Sequence, residues 1–290
     1  MRSTMIRPGL VGLFAATLLV MLPGSAASAA VIPGFEVACS SSHASRDDPI
    51  VFPGQPGASP HLHEFFGNTG TDAYSTPASL RTSGGTTCAL AADRTAYWSP
   101  AVYSGGVRLT PLRLHAYYRW GRVRDLASIS AVPAGAVMIA GDRHATRPPP
   151  TSVLGWSCGR QGERLASRPK ECRNTHHGRH GTPIEVVHVF FPNCLRADGV
   201  PGDPASYSYS RNGFCGSGTQ PVVRLSYDLA YPARAPSSYT VADTDMAGQA
   251  VTTAPIYTFH ADFMNGWNQA TFERLVRDCV QAARQCGPVQ

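Results

Sequence analysis

From residue 107 onward apolar and polar positions alternate in period two over several segments. In VRLTPLRLHAYYRW (107–120), Leu112, Leu114, Ala116, Tyr118 and Trp120 share one set of alternate positions after Pro111; Arg113, His115, Tyr117 and Arg119 share the other. Successive strand side chains point to opposite faces, so this pattern predicts a strand with one buried face. Residues 222–231 repeat it, with Val223, Leu225, Tyr227, Leu229 and Tyr231 inward. In PIYTFHADF (255–263), Tyr257, Phe259, Ala261 and Phe263 fall on one side, and Thr258, His260 and Asp262 on the other. The nearly all-apolar IEVVHVFF (184–191) predicts a central strand covered on both faces, with His188 as a hydrogen-bonded core histidine. AVMIA (136–140) predicts a further short strand. Residues 143–181 and 197–220 have no such period and are rich in Gly, Pro and polar residues, which predicts long surface loops.

Only near the C-terminus does the period change to that of a helix. Phe272, Leu275, Val276, Cys279, Val280 and Ala283 form one stripe, Asn268 is a candidate N-cap, and Glu273 and Arg284 suit the two ends of the helix dipole. Together these elements predict one mainly β domain, a two-sheet β-sandwich-like fold with long disulfide-pinned loops and a C-terminal α-helix.

The N-terminus carries Arg2 and Arg7 with no acid, then an apolar run from Leu10 to Leu22, then the small-x-small site Ala27-Ser28-Ala29. This is the order of a secretory signal, with cleavage expected after Ala29, and the apolar run is short for a bilayer span. No later segment is apolar enough to cross a membrane as a helix, so no membrane span is expected in the mature chain. The eight cysteines all lie beyond residue 29, an even set that in a secreted chain reads as disulfides. Cys158 with Cys172 and Cys279 with Cys286 are the expected local bridges. The net charge of +6, which loss of Arg2 and Arg7 would lower by two, comes with no Lys/Arg run or stacking ladder, so no nucleic-acid partner is expected. The GxSxG, HExxH, phosphate-loop and dinucleotide signatures are all missing from the sequence.

The segment DPIVFPGQPGASPHLHEFFG (48–67) concentrates the candidate chemistry. His61 and His63 stand two apart, which on an extended chain turns both imidazoles to one side, with Leu62 and Phe65 expected to help bury the other. Such a pair suits a divalent metal, or a general acid/base next to an anion-binding histidine. His61, His63, His115, His260 and Asp262 are the candidate catalytic groups for glycosidic or ester cleavage, all expected on polar strand faces. The same set offers His61, His63 and His260 as the nitrogen ligands of a divalent metal. Asp48, Glu64, Arg113, Tyr117 and Arg119 are candidate substrate contacts, the arginines through carboxylate or sulfate groups. Trp98 and Trp267 are candidate sugar-stacking residues, with buried packing as the alternative.

Five motifs occur in order: the 48–67 segment, YWSPAVY (97–103), GAVMIAGD (135–142), VFFPNC (189–194) and HADFMNGW (260–267). In them the chain resembles the secreted domain-of-unknown-function family DUF1996, over roughly residues 48 to 280. The corresponding organisation is a signal peptide at 1–29, a lead-in segment at 30–47 and a single DUF1996-like domain at 48–286. Relatives often carry cell-wall- or carbohydrate-binding modules, so the resemblance implies an extracellular polysaccharide as partner. After Cys194 the chain departs from the family pattern: Leu195-Arg196-Ala197-Asp198-Gly199 replaces a Trp-Asp-Gly step, and the next loop carries Tyr207, Tyr209 and Arg211 in place of histidine. The expected function is a secreted hydrolase or lyase acting on extracellular or cell-wall polysaccharide through a His/Asp groove. The alternative is a non-catalytic envelope or polysaccharide-binding protein using the same groove.

Overall fold

The computed structural model describes residues 32–160, 162–173 and 183–289. The predicted signal segment and part of the predicted 143–181 surface loop, including His176, His177 and His180, lie outside the described residues. Strands of the two largest sheets are numbered here in chain order: β1 (Gly34–Cys39), β2 (Ser41–Ser45), β3 (His63–Gly67), β4 (Ala96–Pro100), β5 (Arg113–Arg119), β6 (Val137–Gly141), β7 (Leu154–Ser157), β8 (Ile184–Phe190), β9 (Arg224–Pro232), β10 (His260–Met264) and β11 (Gln285–Pro288). A six-stranded sheet runs β11-β1-β5-β9-β8-β7, antiparallel except for the parallel β11–β1 edge. A five-stranded antiparallel sheet runs β2-β3-β4-β10-β6. Two smaller sheets, of four and three strands, complete the mainly β fold.

The alternation of the sequence decides how the large sheets meet. Leu114, Ala116 and Tyr118 of β5, and Leu225, Tyr227, Leu229 and Tyr231 of β9, are wholly buried and share one core with Tyr97, Ala261 and Phe263 of the other sheet. Buried hydroxyls need partners, and the core supplies them in a chain. Trp267 Nε1 donates to Tyr118 Oη at 3.0 Å, the Tyr118 and Tyr97 hydroxyls are 2.6 Å apart, and Tyr97 donates to Asp93 Oδ2 at 2.7 Å. Tyr227 of β9 donates to the Asp262 carbonyl of β10 at 2.6 Å, which ties the two sheets together.

Several predicted elements shift in detail. The strand after Pro111 begins at Arg113, leaving Leu112 exposed. Residues 255–263 break into a 3-10 turn, Ile256–Thr258, followed by β10. The 143–181 stretch contains β7, whose Leu154 and Trp156 are wholly buried; with only these two apolar anchors and two glycines nearby it carries no legible period. The C-terminal helix starts as expected, with Asn268 Oδ1 accepting from Thr271 N, and spans Gln269–Leu275 before widening into a π-helix, Val276–Gln281. Ala283 lies beyond it at a φ of 54° and is exposed.

All eight cysteines pair: Cys39–Cys88, Cys158–Cys172, Cys194–Cys215 and Cys279–Cys286. Each closed loop restricts the unfolded chain, worth about 2–4 kcal/mol in the entropy model. Residues 34–45, ahead of the 48–286 span, supply β1 and β2 and so belong to both sheets. The described residues form one compact unit. Among the described residues no helix is long and apolar enough to cross a membrane.

Candidate metal centre

The outer face of the five-stranded sheet, turned away from the shared core, carries the site. Phe65, Ala96, Trp98, Val137 and Met264 pack there with Leu80 in a second, smaller apolar cluster. Because strand faces alternate, His63 lies on the same side as Phe65, and His260 and Asp262 on the same side as Met264. His63 pairs with Pro100 of β4, and Asp262 pairs with Trp98 two residues back along that strand. His63 and His260 therefore flank the end of the central strand at Pro100, one step beyond Trp98 on the same face. Across β6, Gly141 pairs with His260. A Cβ there would meet the Phe259 carbonyl at 2.7 Å and His260 Cα at 2.8 Å, and the φ of 92° also requires glycine.

His61 arrives from the loop before β3. Leu62 packs on the opposite side with Ala101, Tyr103 and Ala242, which turns His61 and His63 to a common side as the i, i+2 spacing predicts. Phe65, expected on the far side, instead meets His63 edge to face at 6.1 Å between ring centroids, since it too is two residues on. The three imidazoles converge, with ring centroids 4.7 Å (His61–His63), 5.1 Å (His61–His260) and 6.2 Å (His63–His260) apart. One nitrogen from each lies within 4.8 Å of the others. Their exposures are 6%, 0% and 5% for His61, His63 and His260.

The hydrogen bonds fix the tautomers. His63 Nδ1 lies 2.9 Å from the Asp47 carbonyl and His260 Nδ1 lies 3.2 Å from the Thr258 carbonyl. A carbonyl only accepts, so both Nδ1 atoms carry the proton and both Nε2 atoms present a lone pair. His61 Nε2, 3.1 Å from His63 Nε2, must then be the donor of that pair. A ligating histidine is commonly held in this way, its second nitrogen donating to a backbone carbonyl. A cation replacing the shared proton would meet three Nε2 lone pairs once His61 moves its proton to Nδ1.

Two buried carboxylates complete the surroundings. Asp262 Oδ2 lies 3.9 Å from His260 Nε2 and has no hydrogen-bond partner; the Nε1 of its cross-strand neighbour Trp98 has none either. Asp48 caps its own loop, accepting from Ile50 N at 3.1 Å and Val51 N at 3.0 Å. Burial pushes His63 and His260 down to about 4, with the neighbouring histidine adding to the effect at His260. His61 is pushed down further by burial and by both neighbours. Burial, reinforced by Asp48, raises Asp262 well above the usual carboxylate range, and burial also raises Asp48. At neutral pH the imidazoles are therefore uncharged, and burial favours the protonated form of the Asp262 carboxyl. Neutral imidazole is the form that ligates metal.

The remaining predicted residues lie elsewhere. His115, Arg113, Tyr117 and Arg119 sit on the outer face of β5 in the six-stranded sheet, the face opposite Leu114 and Tyr118, so they look away from the histidine cluster. Glu64 alternates with His63 to the other face of β3, where Arg108 Nε and Nη2 bind it at 2.6 Å. Trp98 is wholly buried against Phe65, and Trp267 is 1% exposed and stacked on Phe272, so neither offers a ring face to a sugar. Of the twelve candidates the structure gathers His61, His63, His260, Asp262 and Asp48. Sequence reasoning missed the Asp47 and Thr258 carbonyls, which leave no side-chain signal. It also missed the half-buried Arg143, whose charge reaches all three histidines from the turn after β6.

These features define a disulfide-bonded β-sandwich protein with a three-histidine centre under the outer face of one sheet. The chain belongs to the DUF1996 family, a domain of unknown function, whose family model matches residues 48–267. No curated protein and no solved structure matches it.

Proposed function

We propose that this is a secreted, metal-dependent hydrolase or lyase acting on extracellular polysaccharide, with His61, His63 and His260 holding a divalent cation. The observation that carries the reading is the pair of Nδ1–H bonds to the Asp47 and Thr258 carbonyls, which leave the Nε2 lone pairs of His63 and His260 free, that of His63 3.1 Å from His61 Nε2. Three neutral nitrogen ligands with a further position left for water or substrate is the pattern of catalytic zinc sites. A bound cation would supply an acidified water, with a pKa near 7 in place of 15.7. Asp262, beside His260, is placed to take or return the proton of that water. The four disulfides suit folding in an oxidising compartment, in keeping with export.

The test is product release from a panel of cell-wall and capsular polysaccharides by tag-free protein lacking residues 1–29, with and without chelator. Release abolished by chelator and restored by a divalent ion is expected; release indifferent to chelator would refute the metal role. The near-complete burial of the imidazoles favours one other reading. In it the ion ties the 48–60 loop to the sheet and the protein binds polysaccharide without cleaving it, so retention without product would be seen.

A further inference from the structure

The outer face of the six-stranded sheet carries a second group of residues, independent of the histidine centre. Asp228 of β9 pairs directly with His188 of β8, and Ser157 of β7 pairs with Val186, two residues from His188 on the same face. His188 Nδ1 lies 2.7 Å from Asp228 Oδ1, and His188 Nε2 lies 2.7 Å from Ser157 Oγ. A carboxylate only accepts, so His188 donates through Nδ1 and its Nε2 is left to accept the Ser157 hydroxyl proton. The Gly159 amide donates to the same Oγ at 3.1 Å, which holds the hydroxyl in that orientation. His188 is thus no core histidine: the polar row opens to solvent, with side-chain exposures of 15% for His188 and 26% for Asp228.

We propose that Ser157, His188 and Asp228 form a nucleophilic acyl-transfer site for carboxylic esters of small acyl groups. The arrangement reproduces the roles of a serine triad, which are recognised by geometry and not by sequence motif or order. Ser157 Oγ attacks the ester carbonyl carbon while its proton passes to His188 Nε2. The carbon–alkoxy bond then breaks, and the leaving alcohol takes that proton. Water, deprotonated by the same nitrogen, cleaves the acyl-serine to release the acid and restore the hydroxyl. Asp228 holds the imidazole in the required tautomer and stabilises the imidazolium. Beside the nucleophile, on the same face, Ile184, Val186 and Ala230 form a small apolar cluster. These three residues are only 4–6% exposed and Ser157 only 2%, so only a small acyl group can approach the hydroxyl.

The experiment treats the tag-free protein with a small fluorophosphonate and maps the adduct by peptide mass spectrometry, alongside hydrolysis of 4-nitrophenyl acetate. One adduct on the Ser157 peptide is expected, absent in Ser157→Ala and unaffected by chelator, because nothing in the row requires a metal. Asp228→Asn, which keeps the shape but favours the wrong tautomer, should lower ester hydrolysis by roughly 10³–10⁴-fold. Thermal midpoints near that of the parent show that both variants are folded. No adduct, an adduct on another residue, an adduct lost on chelation, or full hydrolysis in folded Ser157→Ala would overturn the proposal.

Discussion

Proton release on metal binding separates a buried histidine centre from an ordinary surface cluster. Three solvated imidazoles near their usual pKa of about 6.5 are each about 90% protonated at pH 5.5, so a cation displacing those protons would release almost three. Here His63 and His260 are held down to about 4 and His61 lower still, so together they carry almost no protons at pH 5.5. Asp262, raised above the usual range by burial, is the one further group beside the imidazoles from which the incoming positive charge would remove a proton. Zinc binding at pH 5.5 should therefore release at most about one proton. The assay is calorimetric titration of Zn²⁺ in two buffers of different ionisation enthalpy. It uses protein in which His176, His177 and His180 are replaced by glutamine, so that they cannot compete. Asp262→Asn should bring the count close to zero. A count near three would refute the argument, since it would mean that the imidazoles are solvated before the ion arrives.

Gly141→Ala should abolish this binding and cost about 1–3 kcal/mol of stability, because its Cβ would strike the Phe259 carbonyl and His260. Gly135→Ala, at a φ of 86° with nothing within 4 Å, is the control: chemical denaturation should show backbone strain alone and unchanged zinc affinity. Asp93 is pushed up to about 7 by burial, so its contribution to stability is present at low pH and lost as pH rises through 7. Asp93→Asn should therefore gain roughly 2–3 kcal/mol on the parent between pH 5 and pH 8.5 in urea unfolding, and a pH-independent difference would contradict this. Thiol titration of the denatured, unreduced protein lacking residues 1–29 should find no free cysteine; two or more reactive thiols would contradict the four bridges.

The part of the site that could be read in the sequence is the part set by local geometry. The i, i+2 spacing of His61 and His63, and of His260 and Asp262, fixes a common side wherever the chain is extended. The two local disulfides likewise follow from short separations. Which of the polar faces meet is a matter of sheet order. β3, β4 and β10 become neighbours through connections of some thirty to well over a hundred residues, and no local pattern records that. His115 shows the consequence: its alternation is right, but its strand lies in the other sheet. Glu64 fails for the converse reason, because the alternation that places His63 on the outer face sends its neighbour to the opposite one. The Ser157–His188–Asp228 row was hidden because β7 lies in a stretch without period and His188 in a run of apolar residues.

The most direct test of the account is the metal content of the purified, tag-free protein lacking residues 1–29. It is measured by elemental mass spectrometry after equilibration with a divalent-ion mixture and exhaustive dialysis, for the parent and for His260→Gln. One ion per chain in the parent, lost in a His260→Gln protein that keeps its four disulfides, is the predicted result. A parent protein without stoichiometric metal, or a His260→Gln variant that keeps it, would contradict the assignment of His61, His63 and His260 as a metal centre.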